Sequence, residues 1–118
     1  MRNFRKLTIW NQGIELAVKA YDLSKQLPKE ELYGLRSQIT RAVVSIPSNI
    51  AEGCSRQSEK DFKRFLEISL GSAFELETDL VLADRLGFIN HQSIEKYLIE
   101  LHTEQRQLNA LINKIKSE

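Results

Sequence analysis

Residues 35–53 read LRSQITRAVVSIPSNIAEG, and this stretch decides the fold. Its apolar residues recur at three- and four-residue steps, which is the spacing of one face of an α-helix. They are Leu35, Ile39, Ala42, Val43, Ile46 and Ile50. Pro47 lies inside this pattern, where it lacks an N–H and crowds the carbonyl of Val43 at a cost of about 3 kcal/mol in a regular helix. The pattern therefore predicts one long helix that is kinked near Pro47 and ends at Gly53.

The proline leaves a second interpretation open. Two helices broken at Ile46 would also account for it, because the residue before a proline is biased away from the helical region. We favour the single kinked helix, since the hydroxyls of Ser45 and Ser48 and the amide of Asn49 stand close enough in sequence to satisfy a freed carbonyl.

The same stretch, with positions on either side of it, resembles a known family. The positions that carry the resemblance are Leu35, Gln38, Arg41, Ala42, Ser45, Ile46 and residues 49–53, preceded by Trp10, Tyr21 and Pro28 and followed by Phe62, Phe65, Leu66, Gly71, Ser72 and residues 75–77. In these positions the chain is similar to the 23S rRNA intervening-sequence proteins, a largely uncharacterised family of four-helix bundles. The accessory protein of diversity-generating retroelements is related to that family. The resemblance implies a small all-α subunit that assembles into a ring, commonly a pentamer, with a role in nucleic-acid binding.

The composition limits the class of protein. A chain of 118 residues is one domain by size, covering residues 1–118, and it can bury a core without metals or disulfides. No apolar run is long enough to cross a membrane, and the basic start is not followed by the apolar segment of a signal peptide. Because Cys54 is the only cysteine, no internal disulfide can form, and a reducing cytoplasm is the expected compartment.

Three further helices are predicted around the central one, over residues 8–26, 59–86 and 91–116. The expected capping and stopping residues are Thr8, Ser58, Gly87 and Asn90. Short connections make neighbouring helices antiparallel. The expected fold class is therefore all-α, an antiparallel up-down-up-down four-helix bundle whose second helix is kinked at Pro47.

Three residues within these helices break the expected patterns. Gly13 costs about 1 kcal/mol in a helix relative to Ala, so it marks a close crossing of two helices. Gly53 is expected to take the left-handed conformation that ends a helix. Gln105 replaces an apolar residue in the middle of the buried seam of the fourth helix.

The second helix also carries a polar stripe. Arg41, Ser45, Ser48 and Glu52 recur at steps of four, three and four. One interpretation is a seam between subunits that small residues face, in which Glu75 and Glu77 are available partners for Arg41 or Arg36. The other is an internal network that stabilises the kink. The residues expected in this structural or subunit seam are Arg41, Ser45, Pro47, Ser48, Asn49, Glu52, Gly71 and Glu75.

Basic side chains cluster at the start of the third helix and in the first six residues, which we expect to form a loose arm. They are Arg2, Arg5, Lys6, Arg56, Lys60, Lys63 and Arg64. This cluster is the expected phosphate-binding surface, although Glu59 and Glu67 can also pair with Lys63 on a solvated helix face. With 17 basic and 16 acidic side chains, the chain lacks the overall basic excess typical of dedicated nucleic-acid binders.

The residues of common catalytic and metal sites do not converge in the sequence. Cys54 stands just before a helix and near Arg56, a position that can lower a thiol pKa, but lone cysteines are usually structural. His91 and His102 are eleven residues apart and cannot share one metal ion. We expect no enzymatic activity, cofactor, metal or small-molecule substrate. The expected partners are further copies of the chain and RNA or a ribonucleoprotein, and the alternative is a protein-binding scaffold.

Overall fold

The computed structural model of this chain describes residues 2–115. Its elements are α1 (Thr8–Ser24), α2 (Leu35–Cys54), α3 (Glu59–Arg85) and α4 (His91–Lys114), with short 3-10 turns at Phe4–Lys6 and Lys29–Glu31. No strand occurs within residues 2–115, so the predicted all-α fold of four helices is confirmed. The predicted end of the last helix at Lys116 lies outside the described residues. The treatment of residues 1–118 as one domain stays a prediction.

Three helix ends are set by local features, as predicted: two side-chain caps and one glycine. Ser58 Oγ accepts a hydrogen bond from the backbone N–H of Asp61 at 3.0 Å. Asn90 Oδ1 accepts one from the N–H of Ser93 at 3.1 Å. Gly87, which follows α3, has a φ of +76°, a conformation that L side chains rarely adopt.

Two predicted helix ends are wrong. Thr8 is not the cap of α1: it is the first helical residue, and the cap is Leu7, whose side chain cannot accept a hydrogen bond. Gly53 does not take a left-handed conformation, because α2 continues to Cys54. Gly53 is instead buried, and an added Cβ there would lie 2.9 Å from Phe65 Cβ. A close approach to α3, rather than backbone freedom, therefore explains this glycine.

The four helices occupy the corners of a square. α1 lies beside α2 and α4, and α3 lies beside the same two helices, whereas no Cα atoms of α1 and α3, or of α2 and α4, come within 8 Å of each other in the described residues. Ile46 meets Ser69 and Gly53 meets Phe62, so the contacts between α2 and α3 run in reversed chain order. This reversal is what antiparallel neighbours require, and the up-down-up-down description of the whole bundle stays our interpretation.

α2 runs without a break through Pro47, so the interpretation of two helices separated at Ile46 is wrong. The kink itself stays a prediction. The proline ring is buried and faces Gly13 of α1, where an added Cβ would lie 3.2 Å from Pro47 Cβ and 3.3 Å from its Cδ. The predicted close crossing at Gly13 is therefore confirmed, and the proline is its partner.

A second group of contacts holds the other side of α2. Asn49 Nδ2 donates to the carbonyl and to the hydroxyl of Ser45, each at 2.8 Å, and Ser45 Oγ lies 2.8 Å from Ser72 Oγ of α3. Ser69 Oγ donates to the carbonyl of Ile46 at 2.9 Å. We expected these side chains to bond the carbonyl of Val43, which loses its partner because Pro47 has no N–H. The observed bonds reach the carbonyls of Ser45 and Ile46 instead, and two of them link α2 to α3.

Replacing Gly13 by Val is expected to lower the free energy of unfolding by about 2 kcal/mol, since overpacking a tight contact costs about 1–3 kcal/mol. The rigid ring of Pro47 cannot move aside. Urea denaturation followed by circular dichroism at one protein concentration measures the change.

The matched control compares alanine at two helical glycines. At Gly71 nothing outside its own stretch of helix lies within 4 Å of an added Cβ, so Gly71→Ala is expected to raise the free energy of unfolding by up to about 1 kcal/mol through helix propensity. In Gly13→Ala the close contact between the added Cβ and Pro47 is expected to cancel this increase. An equal gain at both positions would contradict the close crossing.

Candidate functional site

The amino-terminal segment is fixed against the bundle. The backbone N–H of Arg2 donates to the carbonyl of Cys54 at 3.1 Å. Its guanidinium group lies 3.9 Å from the ring centre of Phe62 and forms an ion pair with Glu59. The expectation of a loose arm is therefore wrong, because aromatic and ionic contacts with the start of α3 hold the segment in place.

A turn in the same segment presents two further basic residues. Asn3 Oδ1 accepts from the N–H of Arg5, and Asn11 Nδ2 donates to the carbonyl of Arg5 at 2.8 Å. The Arg5 guanidinium lies 6.0 Å from the ring centres of Phe4 and Trp10. Arg5 and its neighbour Lys6 are both exposed, next to the start of α1.

The fold brings the predicted basic residues to one end of the bundle, where the amino-terminal segment, the end of α2 and the start of α3 meet. We call this surface the basic end; it consists of Arg2, Arg5, Lys6, Arg56, Lys60, Lys63 and Arg64. Its charges are not equally available. Arg2 pairs with Glu59, and Arg56 lies 3.1 Å from Glu52 and over the ring of Phe65. Four other members are exposed: Arg5, Lys6, Lys60 and Arg64.

Cys54 lies behind this surface, beside a shallow cavity of about 380 Å³ that Arg2 and Phe4 help to line. The thiol is 1% exposed. Burial raises its pKa, and the opposing effect of the Arg2 charge is smaller. The thiol is therefore protonated at neutral pH, which suits the structural interpretation rather than an activated nucleophile.

The polar stripe of α2 is divided between two environments. Ser45 and Asn49 belong to the hydrogen-bond network with Ser72 of α3. Arg41 and Ser48 remain exposed on the outer surface. The internal network therefore accounts for part of the stripe, and the role of the rest in a subunit seam stays a prediction. Pro47, also expected in the seam, is buried against α1.

Sequence reasoning missed a buried carboxylate beside this stripe. Asp79 is 7% exposed, and its Oδ2 is buried without a hydrogen-bond partner among residues 2–115. Burial and, to a smaller extent, the neighbouring Glu75 charge raise the pKa of Asp79 to about 6, although the Arg41 charge lowers it. The signal in the sequence was an aspartate directly before Leu80, at the margin of the apolar stripe of α3.

The expected pairing of Glu77 with Arg41 is wrong, because Glu77 faces α4 instead. Gln105 Nε2 donates to Glu77 Oε1 at 2.9 Å, and His102 Nε2 lies 3.1 Å from Glu77 Oε2. The hydrogen bond from Gln105, followed by the contacts with His102, lowers the pKa of Glu77. Gln105 is therefore at the edge of the α3–α4 contact rather than in the middle of the seam.

The polar residue in the middle of that seam is Glu104, which was not predicted. Its side chain is 0% exposed, and neither carboxyl oxygen has a hydrogen-bond partner in the described part of the chain. Burial alone raises the pKa of Glu104 to about 8, so the carboxyl group is mostly protonated at neutral pH. Its apolar neighbours along α4 are Leu101 and Leu108.

The remaining polar groups do not assemble a reaction centre. His91 Nδ1 lies 2.7 Å from Asp84 Oδ2 on the surface, away from the basic end. Over residues 2–115, no group of three or more His, Cys, Asp or Glu side chains is placed to hold a metal ion. None of the described helices combines the length and hydropathy needed to span a bilayer.

Comparisons with known proteins agree with this architecture. The family model described as "23S rRNA-intervening sequence protein" matches residues 5–110. A solved structure from Bacteroides thetaiotaomicron, described as a protein with unknown function from the S23 ribosomal protein family, is 29% identical and superposes with a TM-score of 0.83. The alignment covers 89% of this chain and 98% of that one. No curated protein matches the chain.

Replacing Glu104 by Met is expected to raise the free energy of unfolding at pH 7 by about 2–3 kcal/mol. The folded pKa of about 8 stands above the ordinary value of 4.5, so the unfolded chain releases its proton first as the pH rises. The stability is therefore full below about pH 4.5 and falls by about 1.4 kcal/mol per pH unit towards pH 8. Urea denaturation at pH 5, 6, 7 and 8 measures the profile.

The Glu104→Met profile is expected to be flatter than the wild-type profile over this range. Glu95→Met on the exposed side of α4 is the matched control, and it is expected to stay within about 0.5 kcal/mol of the wild type. Parallel profiles for Glu104→Met and wild type would show that Glu104 does not titrate in this range.

Proposed function

This chain belongs to the 23S rRNA-intervening sequence protein family, and we propose that it is a non-enzymatic, homo-oligomeric helical bundle. It acts as a structural or interaction module that binds RNA or a ribonucleoprotein. The observation that supports nucleic-acid binding is the basic end, where two segments that are fifty or more positions apart in sequence, residues 2–6 and 56–64, bring seven basic side chains together. A reducing cytoplasm is the compartment we propose for it.

The proposed mechanism of RNA binding is electrostatic. Lysine and arginine side chains neutralise phosphates and release counterions, so the affinity falls as the salt concentration rises. The four exposed members of the basic end, Arg5, Lys6, Lys60 and Arg64, are the main contacts. Because the formal net charge is only +1, affinity depends on this local cluster and not on the charge of the whole subunit.

Assembly strengthens this mechanism, because a ring repeats the same basic end in every subunit and several weak contacts act together. Exposed apolar side chains on the outer surfaces of α1 and α3 support assembly, since large exposed apolar surfaces are typical of interaction sites. The pentamer is the subunit count we propose, from the resemblance to the family.

The second candidate function is a protein-binding scaffold with no nucleic-acid role. The ion pairs of Arg2 with Glu59 and of Arg56 with Glu52 favour it, because they reduce the positive charge of the basic end. Partners that remain bound to the purified complex after nuclease treatment would support the scaffold. Partners that are released by nuclease would support RNA binding.

Reversing two exposed charges tests the basic end. The double variant Lys60→Glu with Arg64→Glu is expected to weaken binding of a fluorescent single-stranded RNA by at least about tenfold, since it removes two phosphate contacts and adds repulsion. Fluorescence anisotropy at several salt concentrations between about 50 and about 200 mM measures both the affinity and its salt dependence.

The control variant makes the same change of charge at the opposite end of the bundle. Lys29→Glu with Arg85→Glu lies at the end of the bundle formed by the α1–α2 connection and the end of α3, and it is expected to keep most of the affinity. Equal losses for the two variants would mean that only the overall charge matters. No affinity of the wild type at low salt, or affinity that does not depend on salt, would contradict RNA binding.

A further inference from the structure

α1 presents a row of apolar side chains to the solvent. Ile14, Val18 and Tyr21 are 36%, 62% and 47% exposed. Their spacing of four and three residues places them on one ridge of the helix, and Lys25 continues this ridge one turn later. We call these four residues the α1 row. Nothing within the described chain covers it.

α3 presents a second row of different character. Ile68, Leu82 and Leu86 are 42%, 47% and 53% exposed, and Gly71, Glu75 and Asp79 lie between them. The successive steps of three, four, four, three and four place all six residues on one side of the helix. We call them the α3 row. It has apolar ends and an acidic centre.

The two rows point away from each other. α1 and α3 are at diagonal corners of the square, and none of their Cα atoms come within 8 Å of each other in the described part of the chain. A ring or a filament of identical subunits needs two different surfaces, because each contact is heterologous and joins one face of a subunit to another face of the next. A two-fold dimer would instead use one surface that pairs with itself.

The charges beside the rows are complementary. Lys25 and Lys96 line the groove that Val18 and Tyr21 border. Lys25 lies 3.8 Å from Asp22, and both side chains are strongly exposed, so that pair contributes little to stability. Lys19, in the same groove, is already held by Glu100 at 2.7 Å.

The acidic centre of the α3 row is incomplete within one subunit. Asp79 Oδ2 is buried and has no hydrogen-bond partner among the described residues. Arg41 acts on Asp79 only through its charge, since no ion pair within 4 Å joins them in residues 2–115. A cation that docks from outside would offset both the burial of Asp79 and its repulsion from Glu75.

We propose that the α1 row of one subunit docks on the α3 row of the next, and that Lys25 and Lys96 of the partner subunit meet Glu75 and Asp79. The occupant of each apolar row is therefore a second copy of this chain. The inference rests on the proposed homo-oligomer and specifies its contact.

Two single variants, each damaging one row, test the heterologous contact. Val18→Glu and Leu82→Glu replace exposed side chains, so both chains are expected to fold, which circular dichroism checks. By analytical ultracentrifugation, each variant alone is expected to be a monomer of 13.6 kDa. An equimolar mixture is expected to form a dimer and nothing larger, because one intact α3 row meets one intact α1 row.

The outcomes separate this inference from the proposed function. A wild-type mass near 13.6 kDa at micromolar concentration would overturn both the homo-oligomer and its contact. A wild-type oligomer with both variants still fully assembled would overturn the assigned surfaces and leave the homo-oligomer standing. Dissociated variants that do not pair on mixing would overturn the heterologous contact.

A charge exchange tests the ionic part of the contact. Lys25→Glu with Lys96→Glu, and separately the exposed Glu75→Lys with the isosteric Asp79→Asn, are each expected to raise the dissociation constant of the oligomer at least about tenfold. All four changes in one chain restore opposite charges across the contact and are expected to recover the wild-type value to within about threefold. Lys29→Glu is the control at a distant surface. If the fourfold variant instead combines the increases in dissociation constant of the two double variants, the proposed pairing is overturned.

Discussion

The contact between Gly13 and Pro47 sets the distance between α1 and α2, and the rest of the bundle depends on it. A proline inside a helix costs about 3 kcal/mol, because it removes a backbone hydrogen bond and crowds the preceding turn. The buried ring of Pro47 faces Gly13, which has no side chain, so the backbones of α1 and α2 approach closely. The other side of α2 is then free to bond Ser69 and Ser72 of α3. One helix thus holds both neighbours, each through a different kind of contact.

The basic end is a product of this arrangement and not of a continuous basic sequence. α2 ends at Cys54, whose carbonyl accepts the N–H of Arg2, and the Arg2 side chain reaches Glu59 and Phe62. The amino-terminal segment is therefore fixed next to the first turn of α3. A chain with almost equal numbers of basic and acidic side chains still gathers seven basic side chains at one end, and two of these are paired with Glu52 and Glu59.

Features with a local cause could be predicted from the sequence, and features decided by packing could not. Ser58 and Asn90 cap helices because their side chains reach the backbone N–H three residues on, which the sequence alone determines. The choice between Glu104 and Gln105 had no such local signal. Leu101 and Leu108 are seven residues apart, and either residue between them continues a helical stripe. The packing of α4 against α1 and α3 buries Glu104 and leaves Gln105 at the edge of the contact. The contacts of the amino-terminal segment were missed for the same reason, since they join residues more than fifty positions apart.

The two buried carboxyl groups contribute differently to the charge of the subunit. Glu104 has a pKa of about 8 and is mostly uncharged at pH 7, so the core contains a polar but neutral group. Asp79 has a pKa of about 6 and is mostly ionised at pH 7, and it lies at the margin of the outer surface. A charge there needs a cation nearby, and Arg41 supplies part of that effect. The formal net charge of +1 counts Glu104 as negative, so the folded subunit is more positive than its composition indicates. In the contact that we propose between subunits, the negative charge of Asp79 is the group that the lysines of the next copy meet.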